Sequence, residues 1–150
     1  MKSRSLLCPA LLGLFVVGGV AAEAPARAPR LVALRGIQSG QWELHQRGNP
    51  NGPARLMCVQ EPADLFIIRH RGIACTRVVI DNAEHAATVH YTCPGAGHGR
   101  TTVTAETPRL LQIDTQGIAA GRPFAEMYEA RHTGACSAGA ARRRRGGVAG

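Results

Sequence analysis

The sequence predicts a mainly β domain: an antiparallel meander of about seven strands, curved or partly closed, with one short helix and disulfide staples. Three observations carry this. Runs of alternating apolar and polar residues recur at roughly 10–15 residue intervals from Ser39 onward. Turn-forming Gly, Pro and Asn separate them. Four cysteines, Cys58, Cys75, Cys93 and Cys136, punctuate the same stretch.

The chain opens with Lys2 and Arg4, followed by an apolar run from Leu6 to Val20 and small residues before Glu23. This is the order of a secretory signal peptide over residues 1–22. The run is shorter than the roughly 20 apolar residues a spanning helix needs, so no transmembrane anchor is expected after cleavage. Cys8 would leave with the signal. Residues 23–38, "EAPARAPRLVALRGIQ", begin with Ala, Pro and Arg and read as a flexible lead-in.

The domain proper is expected over residues 39–136. "QWELHQ" puts Trp42 and Leu44 on one face of a first strand, and "NPNG" turns the chain into "ARLMCV". "EPADLFIIRH" breaks the β rhythm. Pro62 suits a first helical position, Glu61 and Asp64 suit the first turn, and Arg69 to Arg71 suit the end, so a short helix is expected. "CTRVVIDN" and "AATVHYTC" return to alternation; in the second, Ala87, Val89, Tyr91 and Cys93 share one face. "PGAGHG" is a turn before "RTTVTAE", Thr107-Pro108 splits off "RLLQIDT", and a Gly-bounded loop leads to the last strand, "FAEMYEARHTG". Residues 137–150 have no periodicity and read as a disordered, Arg-rich tail.

The formal charge of +8 is unevenly spread: Lys2 and Arg4 belong to the signal and Arg142 to Arg145 to the tail, leaving about +2 for the remainder. No basic-aromatic stripe accompanies it, so a nucleic-acid partner is not expected. The tail suits attraction to anionic envelope polymers.

Four cysteines in an exported chain most simply make two disulfides. Three pairings exist. Cys58–Cys75 with Cys93–Cys136 is favoured, because neighbours in sequence can close around the helix while the last strand is tied to the sheet. No C-x-x-C pair supports redox chemistry, and no closely spaced ligand pair supports zinc. Cys93 and His98 have a spacing seen in copper loops, but a second His and an axial Met are missing from that stretch. Glu129-x-x-His132 has di-iron spacing but lies in a predicted strand, where Glu126 and His132 share a face and Glu129 takes the other. No metal and no cofactor are expected.

The ordered set "SGQWEL" (Trp42), "CVQEPADL" (Cys58), "GIAC" (Cys75), "VHYTC" (Cys93) and "HTGAC" (Cys136) resembles the bacterial family catalogued as domain of unknown function 3617, small exported four-cysteine proteins. The resemblance covers Ser39 to Cys136. It implies a fold and a periplasmic or secreted location, and carries no activity with it.

No G-x-S-x-G elbow, H-E-x-x-H helix or phosphate-binding Gly loop is present, so no enzyme activity is expected. The leading expectation is a non-catalytic envelope protein that binds a small apolar ligand or an envelope partner through the concave side of its sheet. Trp42, Tyr91, Phe124 and Tyr128 are the candidate lining. The alternatives are an accessory protein held by its basic tail to anionic polymers, and a small hydrolase using His90 or His132 with a carboxylate.

Overall fold

A computed structural model describes residues 30–49 and 51–137. The expected signal peptide and all but Ser137 of the expected tail lie outside the described residues.

Seven strands form one antiparallel sheet: β1 (Gly40–Gln46), β2 (Arg55–Val59), β3 (Thr76–Asn82), β4 (Ala86–Cys93), β5 (Gly97–Thr107), β6 (Leu110–Ala119) and β7 (Arg122–Gly134). Each contains one of the seven alternating runs, because alternation puts an apolar row on one face of a strand whatever its partners are. Two expected loops are corrected: β5 already starts at Gly97, inside the expected "PGAGHG" turn, and β6 and β7 extend through most of the expected "QGIAAGRP" loop. Ala120 and Gly121 are left as the turn, because pairing with the neighbouring strand carries these glycines into the ladder. The spatial order is β2-β1-β7-β6-β5-β4-β3, and the sheet does not close. Strands β3 to β7 form a sequential meander. The β1–β2 hairpin is then laid against β7, with Leu44 opposite Ala130 and His45 opposite Glu129.

This order puts β2 and β3, consecutive in sequence, at opposite edges of the sheet. Residues 60–75 must therefore cross the inner face. They do so through the expected helical segment, which is a 3-10 helix at Pro62–Ile67. Pro62 starts it, but Glu61 makes no side-chain capping bond, and so weak a start favours one tight turn over a longer α-helix. Leu65, Phe66 and Ile68 are fully buried against the sheet. Three arginines satisfy carbonyls along the crossing: Arg55 Nη2 donates to Ile68 O (2.7 Å), Arg71 Nη2 to Cys58 O (2.8 Å) and Arg77 Nη1 to Ala63 O (3.2 Å). A segment without a regular ladder needs such donors for its backbone acceptors.

The lead-in requires correction over the part that is described. Residues 31–38 pack onto the core, with a 3-10 turn at Val32–Leu34 and with Ala33 and Ile37 buried. Asn82 fixes them to the end of β3: its Oδ1 accepts from Val32 N (2.7 Å) and its Nδ2 donates to Arg30 O (3.2 Å). The Ala-Pro-Arg opening concealed the apolar set Leu31, Val32, Ala33, Leu34 and Ile37, which is enough to bury one side of the segment.

The disulfide pairing is also corrected. The bonds are Cys58–Cys136 and Cys75–Cys93. Cys58 and Cys75 cannot meet, because they sit at the two far edges of the sheet. Cys75 instead enters β3 beside Cys93, one step from the Thr76–Thr92 pair. Cys136 follows β7 and reaches over β1 to Cys58 on β2.

Candidate functional site

The four aromatic residues expected to line a ligand groove have other positions. Trp42 and Tyr91 have no exposed surface and Tyr128 is 7% exposed, each packed in the core beneath the two 3-10 segments. Phe124 is half-buried, with the Arg69 guanidinium 5.3 Å above its ring. The crossing segment fills the space where an open groove was expected, so Trp42, Tyr91 and Tyr128 are core and Phe124 lies at its margin. The helix and the ring positions were legible in the sequence, but not that one would lie on the other.

The same region holds a buried polar network that sequence reading missed. His70 is 2% exposed; its Nδ1 lies 3.2 Å from the Tyr91 hydroxyl and its Nε2 lies 3.2 Å from Ala96 O. A carbonyl can only accept, so Nε2 carries a proton, and in the neutral ring Nδ1 then accepts from the Tyr91 hydroxyl. Next to this pair, Thr101 Oγ1 donates to Phe66 O (2.8 Å) and pairs with Thr115 Oγ1 (2.7 Å). The network needs glycine beneath it. A Cβ on Gly99 would stand 2.4 Å from the Tyr91 hydroxyl oxygen, and one on Gly117, its cross-strand partner, 2.2 Å from His98 O. Burial raises the Tyr91 pKa above the ordinary value of 10.0, with Thr115 opposing the shift. Burial also raises that of Tyr128, assisted by Glu126, which accepts the Tyr128 hydroxyl at 3.0 Å. Glu126 in turn pairs with Arg69 at 3.4 Å. Flanked by Arg69 and Arg71, His70 reads as surface in the sequence. Nothing local marks it as buried.

The residues considered for hydrolysis do not converge. His132 stands edge-on to Trp42, its Nε2 3.1 Å from Ser39 O, and His90 stands beside His98. Neither is hydrogen-bonded to a carboxylate among the described residues. Glu129 pairs with Arg131 at 2.7 Å on the outer face, which holds its carboxyl below the ordinary range. As the strand reading anticipated, it is on the face opposite Glu126 and His132. Cys93 is consumed in a disulfide and is no longer a ligand for copper.

Several recesses remain open among the described residues, and one of them combines apolar surface with ionisable groups. It holds about 320 Å3 and lies at the end of the sheet where three segments distant in sequence meet: the docked N-terminal segment, the β3–β4 turn and the β5–β6 turn. Val32, Ala33, Ile37, Ala105 and Pro108 supply apolar surface; Arg35, Glu84, His85 and Glu106 supply exposed polar groups around it. Glu106 is steadied by Gln112 Nε2, 3.1 Å away. The volume sits at the lower end of the range for small-molecule sites, and the mix of apolar surface with a few polar groups is typical of them.

Like β2 at the opposite edge, with Leu56 at 66%, the edge strand β3 also exposes apolar side chains, with Val78 60% and Ile80 55% exposed. A bulge between Val79 and Asp81 and the Asn82 strap interrupt it, which are devices that blunt an edge against strand addition.

No protein-family model, no curated protein and no solved structure matches the chain. The two disulfides fit an oxidising, extracytoplasmic compartment. Among the described residues, no helix is long and apolar enough to cross a membrane.

Proposed function

We propose that the protein is a non-catalytic periplasmic binding protein that holds a small, largely apolar ligand in the recess at the end of its sheet. The single observation behind this is the recess itself: apolar surface from Val32, Ala33, Ile37 and Ala105 in a space of about 320 Å3, with ionisable groups at its margin. The segment that borders it is tied down at Asn82, so the site is largely pre-formed and little ordering cost opposes binding. The signal-like start of the sequence and the ordered landmarks shared with the domain of unknown function 3617 support the periplasmic location and the family resemblance as parts of the same reading.

Native mass spectrometry of the protein purified from its own periplasm tests this. A co-purifying small mass is expected with the wild type and should be lost in Ala105→Trp, which fills the recess. If wild type and variant carry the same mass, or neither carries one, the recess is not the binding site. The run Arg142–Arg145 favours a second reading, retention on anionic envelope polymers. Deleting residues 137–150 should then abolish salt-dependent retention on envelope fractions, and unchanged retention would refute it.

A further inference from the structure

The spacing of Cys93 and His98 lacked a second imidazole in the sequence. The fold supplies one from a different strand. On the outer face, Thr92 of β4 is opposite His98 of β5, which makes His90 the diagonal neighbour of His98. Their ring centroids are 6.0 Å apart with planes inclined at 39°. Both project away from the core, since Val89 and Tyr91 on one strand and Gly97 and Gly99 on the other belong to the inner face.

We infer that His90 and His98 form a two-imidazole chelating site for a divalent transition-metal cation. The distances suit it. Metal–nitrogen bonds of about 2.0–2.1 Å place two imidazole centres on one ion roughly 5 Å apart at the tetrahedral angle and roughly 4.5 Å apart in the right-angled positions of Cu(II). The observed 6.0 Å separation of the ring centres is about 1 Å wider than the first of these, and each ring turns about its own χ1 and χ2. Both strands lie inside the sheet and pair along their whole lengths, so the two Cα positions are fixed in advance.

The surroundings decide what kind of site this is. Val78 is opposite His90 on β3, Arg100 is opposite His90 on β5, and Thr92 is opposite His98. Carboxylate and thiolate are absent from these positions, so the protein contributes two neutral ligands and water takes the others. Arg100 opposes the incoming charge. Such a site binds weakly and exchanges fast, with open coordination positions. It is not a structural centre. Imidazole pairs suit Cu(II), Ni(II) and Zn(II), and among these the intrinsic order of stability favours Cu(II).

Titration of the full chain with Cu(II), followed by electron paramagnetic resonance and by paramagnetic broadening of NMR signals, tests the inference. One equivalent should bind with two nitrogen ligands, broadening first the signals of His90, His98 and their strand neighbours. His90→Gln and His98→Gln should each weaken this binding by at least roughly tenfold, since even the loss of an outer-sphere partner costs about 10–100-fold. His85→Gln should leave it unchanged. Broadening centred elsewhere, or titrations in which both His90→Gln and His98→Gln match the wild type, would overturn the assignment. Both side chains lie on the outer face, so the variants keep the fold.

Discussion

The two faces of the sheet are made from alternate residues of the same strands, yet they have opposite fates. The inner face carries Trp42, Leu44, Val89, Tyr91, Val103, Leu111 and Ile113, all at most 1% exposed. The two 3-10 segments cover it and a hydrogen-bonded network occupies one end of it. The outer face carries His90, His98, Arg100, Glu129 and Arg131, which meet solvent and each other. Large aromatic residues attract functional assignments, but here their burial is what stabilises the domain. The residues with chemistry to spare lie on the outer face and at the open end. In a small domain with few aromatic rings, every ring that can be buried is needed for stability.

The sharpest way to break that comparison is through the covalent ties. Removing Cys58–Cys136 with a double Ser substitution should cost roughly 4–5 kcal/mol on the loop-entropy model, because it closes a separation of 78 residues. Removing Cys75–Cys93, with a separation of 18, should cost about 3 kcal/mol. Urea unfolding of both variants gives the order, and a reversed order would contradict the entropic account. Next in size, Phe66→Ala should destabilise by about 3–5 kcal/mol, since it empties the contact between the crossing segment and the inner face. Val78→Ala, 60% exposed on the outer face, should stay within about 0.5 kcal/mol. Equal losses from the two would mean that the crossing segment is not docked.

Smaller effects sharpen the picture of the buried network. Gly99→Ala should cost about 1–3 kcal/mol in the same assay, because the added methyl group meets the Tyr91 ring. Stability should also fall in alkali. The unfolded chain releases tyrosine protons from about pH 10, whereas folded Tyr91 and Tyr128 hold theirs to higher pH. Their contribution is therefore complete below pH 10 and is lost as pH rises through the folded values. Thermal melts of wild type and Tyr91→Phe between about pH 9 and 11, roughly one unit on either side of the ordinary tyrosine pKa, should diverge in slope, and parallel curves would show that Tyr91 titrates normally. At the bottom of the scale, His90→Gln and His98→Gln should change unfolding stability by no more than about 0.5 kcal/mol in metal-free buffer. A larger loss would give these side chains a structural role.

The seven strands were legible in the sequence because alternation is a local property. A residue's face follows from its parity, so Trp42, Leu44, Ala87, Val89 and Tyr91 could be placed on the inner side without knowing their neighbours. The face assignment of Glu126, Glu129 and His132 follows from the same rule. Parity does not say what covers a face, and that is where most of the expected ligand lining became core. His70 shows the limit most directly. Two flanking arginines make it look solvated, and only the crossing path of residues 60–75 buries it.

The sequence by itself determined a disulfide-bearing, antiparallel seven-stranded sheet with a helical interruption after Cys58, because strand period, turn residues and Pro62 act over a few positions. Tertiary structure alone decided which cysteines meet, that residues 31–38 dock, that a recess forms from three separate segments, and that His90 faces His98. Those outcomes depend on strand order and register. Both are set by the summed burial of the whole inner face, and no single stretch of the chain encodes that sum.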